Sequence, residues 1–171
     1  MAAQLRFLEE VAQHALTTPG PILECGSGLT TLILALLAGR RGVDVWTLEH
    51  FPDWHARVAN TLARYDLPHV NNVLAPLKDY GDFCWYEPPL EQLPKEFALV
   101  VCDGPPGTTK GGRVGLVPVL KSYLSRGTII LFDDAHRDEE ARTMALWAKT
   151  IKFDSVLYDQ MRGQFAVLKI E

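Results

Sequence analysis

The amino-acid sequence predicts an α/β fold, a doubly wound, mostly parallel seven-stranded sheet ending in an antiparallel C-terminal hairpin. Three observations predict it. Short apolar runs alternate with stretches whose apolar residues recur at helical spacing. The connections between them are short, as in βαβ units. The last two runs, "FDSVLYD" and "GQFAVLKI", are only a few residues apart, too close for a helical crossover, so they must pair antiparallel.

Taken in order, Leu5, Leu8, Val11, Ala12, Ala15 and Leu16 make an amphipathic first helix within residues 1–18, stopped near Pro19 and Gly20. "PILEC" is a buried strand, and "LTTLILALLAG" is a helix apolar enough to lie on a sheet, ended by Gly39. "DVWTLEH" is the second strand, and the helix after it starts near Pro52 and runs to about Tyr65. "NNVLAPL" is a short third strand. "FALVVCDG" is a fourth, almost wholly apolar, as a parallel strand covered on both faces should be. Arg113 to Leu124 reads as a helix after a glycine-rich loop, "GTIILFDD" as a fifth strand, and Asp138 to Ile151 as a helix with Met144, Trp147 and Ile151 on one stripe. The proline-rich "YEPPLEQLPKE" reads as a surface excursion.

With 171 residues the chain has the length of one domain with a full core, here 1–171. Its 17 basic and 21 acidic residues leave a net charge of −4, which offers no general attraction to nucleic acid or to an anionic membrane. The longest apolar stretch, Leu29 to Gly39, is too short to span a bilayer, and Glu9 and Glu10 stand where an export signal would be apolar. Cys25, Cys84 and Cys102 lie at no metal-binding spacing and are expected to be reduced thiols of a cytoplasmic protein, two of them at strand ends.

In an open α/β sheet, ligands bind beyond the carboxyl ends of the strands. Those ends are Glu24 to Gly28, Glu49 and His50, Ala75 to Lys78, Asp103 to Gly107, and Asp133 to His136. An acid directly before a glycine-rich turn is an unusual partner for a phosphate. "ECGSG" at the first strand end, Glu49 about 20 residues on, and the final hairpin together resemble the class I S-adenosylmethionine-dependent methyltransferases, from about Pro21 to Glu171. The resemblance implies their Rossmann-like fold and S-adenosyl-L-methionine as cofactor.

It also implies roles. Glu24 would act on the amino-acid part of the cofactor, directly or through water, and Gly26 and Gly28 would let the backbone approach it, with Cys25 and Ser27 in the same turn. Glu49 would accept the ribose hydroxyls beside His50. The usual third-strand acid for adenine is absent, which leaves Ala75, Pro76 and Leu77, or Asp79. Each residue also has a plain reading: a tight strand-to-helix turn for Gly26 and Gly28, and helix capping for Glu24 and Glu49. Two other functions stay open. A nicotinamide-binding oxidoreductase also uses a ribose acid, but its fingerprint wants a small residue where Thr31 stands. A methyltransferase-like scaffold without catalysis is the other.

"VVCDGPPG" and "ILFDDAHR" are most similar to small bacterial relatives of the catechol-type O-methyltransferases. That type implies a magnesium site at Asp103, Asp133 and Asp134, and catalytic roles for Asp103 and Asp134. Its lysine base is missing, since "GPPG" stands there, so His136 is the candidate base. The plain readings are a donor-orienting Asp103, helix capping by Asp133 or Asp134, and a solvated His136. The loop Thr108 to Arg113 is expected to be a mobile cover, with the first helix closing the other side through Phe7 or His14. With no added substrate domain, the acceptor is either small or presented by a partner, a small molecule methylated on oxygen or nitrogen being expected; a homodimer is left open.

Overall fold

The computed structural model describes residues 4–67 and 69–171, so the first three residues of the expected 1–18 segment lie outside the described residues. Helix α1 (Leu5–Thr17) buries Phe7, Val11 and Ala15, four residues apart on one face. It stops before Pro19, where Thr18 returns both its backbone N–H and its hydroxyl to the carbonyl of His14. The main sheet contains β1 (Ile22–Cys25), β2 (Val45–Glu49), β3 (Val70–Leu74), β6 (Phe97–Cys102), β7 (Leu124–Phe132), β8 (Phe153–Gln160) and β9 (Gly163–Ile170). Its order is β3-β2-β1-β6-β7-β9-β8. The five strands from β3 to β7 in that order run parallel, and β9 and β8 pair antiparallel, as the sequence predicts.

Alternation along each strand sorts the core into two layers. Ile22, Val45, Leu99, Val101 and Leu131 pack with Phe7, Val11 and Ala15 of α1 and with Leu34 of α2 (Leu29–Leu37). Leu23, Cys25, Leu48, Val100, Cys102 and Phe132 face the other way, toward α4 (Leu116–Leu120) and Trp147 of α5 (Asp138–Trp147). Helix α3 (Pro52–Arg64) packs Val58 and Leu62 against Ala35 of α2. Strand-end neighbours Cys25 and Cys102 are partners across β1 and β6, and all three cysteines are free thiols. No helix among the described residues is long and apolar enough to cross a membrane.

Two segments differ from the sequence expectation. The third strand ends at Leu74, and the chain then forms a separate hairpin, β4 (Leu77–Asp79) with β5 (Cys84–Tyr86). This hairpin covers the second core layer with Trp85 and Tyr86, both without solvent exposure. The expected helix over Arg113 to Leu124 is only Leu116–Leu120, because a tight turn follows at Lys121–Tyr123 and β7 starts at Leu124. Gly115, just before α4, lies under the Trp85 indole: a β-carbon there would stand 2.3 Å from Trp85 Cγ. Gly115→Ala should therefore cost about 1–3 kcal/mol by overpacking, read as a lower urea midpoint with unchanged slope. An unchanged midpoint would show that the hairpin can move aside.

Candidate active site

The period of β1 places Glu24 on the α2 side of the sheet, beside Thr47 of β2, fully buried. Its Oε2 accepts a hydrogen bond from the Thr31 hydroxyl at 2.5 Å, and Thr31 Oγ1 in turn accepts the Gly28 N–H at 2.8 Å. Thr31, at a position where a dinucleotide fingerprint wants a small residue, thus ties the acid to the turn. Oε1 of Glu24 has no partner among the described residues. Burial raises the Glu24 pKa from 4.5 to about 7, tempered by the nearby Thr30, Thr31 and Thr47 hydroxyls. Gly26 has φ +91°, and a side chain there would press on the Gly104 backbone, 3.1 Å away, so the loops after β1 and β6 meet backbone to backbone. A β-carbon on Gly28 would instead meet nothing within 4 Å. The fold itself leaves that space free above the turn.

A cleft of about 670 Å³ opens over this turn. Glu49 lines it, with Oε2 accepting the Ser27 N–H and hydroxyl at 3.2 and 2.8 Å and Oε1 accepting the Phe51 N–H at 2.8 Å. Glu49 therefore also ties the Gly26–Gly28 turn to the residue that precedes α3, without capping that helix. His50, Phe51, Trp54 and Tyr86 form an aromatic wall, and the Trp54 indole N–H bonds the Ser27 carbonyl at 2.8 Å. The Tyr86 hydroxyl is buried and has no hydrogen-bond partner among the described residues. Cys25 enters only through its carbonyl, which accepts the N–H groups of Asp103 and Gly104.

Ala75, Pro76 and Leu77 are not brought to the cleft. The Ala75 N–H goes to the Glu49 carbonyl, the Pro76 carbonyl accepts the Glu87 N–H, and Leu77 pairs with Tyr86. Asp79 is likewise turned to the hairpin tip, where it accepts the Gly81 N–H. Phe51, Trp54 and Tyr86 line the cleft instead. Sequence reasoning missed them because aromatic residues near a helix start or in a proline-rich stretch carry no signal of their own.

At the ends of β6 and β7, carboxylate oxygens of Asp103, Asp133 and Asp134 come within 4.8 Å of one another, as expected from the sequence. Arg113 enters the same cluster. Its side chain is 2% exposed, and Nη2 lies 3.2 Å from Asp103 Oδ1 and 2.9 Å from Asp134 Oδ2. Nη1 and Nη2 also donate to the carbonyls of Asp133 and Asp103 at 2.5 and 2.6 Å. Arg137 reaches Asp134 Oδ2 at 2.9 Å, and Gln160 donates to Asp133 Oδ1 at 3.1 Å. Each acid already has a protein donor, so the cluster does not fit magnesium as a site of free carboxylates would. Burial raises the Asp103 pKa from 3.8 to about 7, against the pull of Arg113 and with help from Asp133 and Asp134.

Asp103 and Asp134 also line a second cleft, of about 640 Å³, bounded by Gln4, Leu5, Arg6 and Glu9 of the first helix region and by Asp159 to Arg162 of the last hairpin. The Gln4 side chain clamps this wall, donating to the Arg162 carbonyl at 2.6 Å and accepting its N–H at 2.7 Å. Phe7 does not face it: it is a core residue, edge-on to Phe165. His14 lies at the opposite end of α1, beside Thr17 and Pro19. His136 lines neither cleft. Its ring lies against Gly163, and Nδ1 accepts the Gln164 N–H at 3.2 Å, so the expected base is held against the hairpin. The loop Thr108 to Arg113 is no loose cover either. The Lys110 carbonyl accepts the Cys84 N–H, Gly111 packs on Phe83, and Arg113 is buried.

The model of a family described as "Methyltransferase domain" matches residues 23–135. No curated protein sequence matches the chain. Among solved structures, the SAH-bound Podospora anserina methyltransferase PaMTH1 superposes with TM-score 0.77 at 19% identity, over 100% of this chain and 80% of that one. Cofactor-bound Rv0187 from MTB gives 0.67 at 22% identity, over 99% and 82%. An rRNA methylase from Streptococcus thermophilus gives 0.61 at 14%, over 99% and 98%.

The buried Glu24 has a consequence for pH. Because the fold favours its neutral form, its contribution to stability is complete below pH 4.5 and is lost as pH rises through about 7. Glu24→Gln should flatten that loss by on the order of 3 kcal/mol, a shift of 4.5 to about 7 at roughly 1.4 kcal/mol per unit. Urea unfolding of both ligand-free proteins across this range checks it. Parallel pH profiles would refute it.

Proposed function

We propose, from the premise that the chain belongs to the methyltransferase-domain family, that it is an S-adenosyl-L-methionine-dependent methyltransferase acting on oxygen or nitrogen of a small-molecule acceptor. The observation that carries this reading is that two clefts, one over the Glu24–Gly28 turn and one under α1, share Asp103 and Asp134. A reacting pair seated in them would meet at those acids.

The residues of the first cleft fit the cofactor. The space above Gly28 admits a ligand close to the backbone, Glu49 offers a carboxylate to two ribose hydroxyls, and the aromatic wall offers flat faces to a purine. The orphaned Tyr86 hydroxyl supplies a further donor. Glu24 is sealed beneath the turn and acts by holding it through Thr31. When bound, S-adenosylmethionine supplies a methyl group on a positively charged sulfur, which is a good leaving group.

The chain's own work is then to position, deprotonate and exclude water. Asp103 borders both clefts, and burial brings it to about 7, so its carboxylate is suited to take the proton of an acceptor hydroxyl or amine as the acceptor's lone pair attacks the methyl carbon. Asp134, gripped by Arg113 and Arg137, orients rather than accepts. The whole chain serves as one catalytic domain, residues 21–171 as the cofactor-binding core and α1 as a fixed wall.

A small acceptor is favoured over RNA by the lining of the second cleft. Glu9, Asp103, Asp133, Asp134 and Asp159 face it with Arg6 and Arg162, an acidic surround that repels a phosphodiester chain. Glu49→Ala should weaken binding of the demethylated cofactor by about 1.5–3 kcal/mol, roughly tenfold to a hundredfold, in a calorimetric titration. Equal binding by the variant and the parent, or tight binding of NAD instead, would overturn the assignment. Transfer of labelled methyl groups to RNA but to no small acceptor would overturn the acceptor class.

A further inference from the structure

The acid cluster at the ends of β6 and β7 holds a cation of its own. Arg113 Nη2 takes Asp103 Oδ1 and Asp134 Oδ2, one oxygen from each of two acids on different strand ends. A divalent ion bridging the same two carboxylates at about 2.0–2.1 Å would compete for those oxygens. It would also stand beside the fixed positive charge of Arg113, whose side chain is 2% exposed, and like charges at that range repel.

The local backbone is shaped around this arrangement. Gly111 and Gly112 both have positive φ, +76° and +53°, and turn the chain so that the next residue points inward. Asp134 is itself left-handed, with φ +58°, a conformation that costs a side-chain-bearing residue energy. Here it places one carboxylate between Arg113 and Arg137. On its far side Arg113 lies 3.8 Å from Glu140 Oε1 and over the Phe132 ring, 5.9 Å from its centre. Glu140 of α5 thus adds a negative charge behind the guanidinium, at ion-pair distance without a hydrogen bond among the described residues, while the acids hold it in front.

We propose that Arg113 is the built-in cation of the Asp103–Asp133–Asp134 cluster, a positioning residue that occupies the place of a divalent metal, so that the site works without one. The proposal rests on the methyl-transfer reading only for its catalytic consequence. The metal test stands apart from turnover.

Electron paramagnetic resonance of Mn2+ titrated with the purified full chain reads it directly. The parent protein should leave the spectrum of free Mn2+ unchanged at millimolar metal. Arg113→Met, similar in length and uncharged, should gain Mn2+ affinity by at least about tenfold, and the double variant Arg113→Met with Asp134→Asn should lose that gain. Arg113→Lys, which restores the charge, should again keep Mn2+ out. Mn2+ bound by the parent and released by Asp134→Asn would overturn the proposal, and this arm holds even if Arg113→Met does not fold. A folded Arg113→Met that still binds the demethylated cofactor but takes up no Mn2+ would overturn it as well. Failure of the parent to bind the demethylated cofactor would sink the methyltransferase reading and leave the metal result untouched.

Discussion

A guanidinium almost without solvent contact is an expensive thing to bury, and the ends of β6 and β7 are organised around making it affordable. Arg113 crosses from the loop before α4 to two neighbouring strand ends, and its hydrogen bonds go to backbone carbonyls as well as to carboxylates. The loops that carry Asp103 and Asp134 are thereby held at fixed separation. Without the guanidinium, three acids on adjacent loops would repel one another, and the boundary shared by the two clefts would have no fixed shape. Glu140 extends the same network into α5.

The backbone meeting of Gly26 and Gly104 does for the β1 and β6 loops what Arg113 does for the β6 and β7 loops. One contact is steric and the other electrostatic, and between them three consecutive strand ends are locked. Rigid placement matters for methyl transfer because the protein contributes alignment and water exclusion more than covalent chemistry. Asp103 lies where the two contacts adjoin: its N–H is bonded to Cys25 and its carboxylate to Arg113.

Much of the frame was legible because it follows from periodicity. Parallel strands covered on both faces must be apolar, so "FALVVCDG" and "GTIILFDD" declared themselves, and the spacing of the last two runs left only an antiparallel pair. Glu24, Glu49 and the three aspartates were legible as acids at strand ends. The β4–β5 hairpin was not, because three-residue strands are too short to show alternation, and Trp85 and Tyr86 are buried by tertiary packing alone. Arg113 read as a loop charge because its partners lie 10 and 21 residues away, a pairing that only the topology creates. His136 misled for the opposite reason. It is close to the acids in sequence, but the left-handed turn at Asp134 sends the chain away, and the ring settles on Gly163. Thr31 looked like a departure from a pattern and proved to be a tie between Glu24 and the turn.

The reciprocal hydrogen bonds between Gln4 and Arg162 join the first helix to the last hairpin across 158 positions of sequence. Neither of these residues lines the cleft over the Glu24–Gly28 turn, which is built from the strand ends and loops between them. The chain therefore separates two kinds of heritable change. Substitutions at Leu5, Arg6, Glu9 and Asp159 to Met161 reshape the second cleft, whereas those at Ser27, Glu49, Phe51 and Trp54 reshape the first, and only Asp103 and Asp134 belong to both.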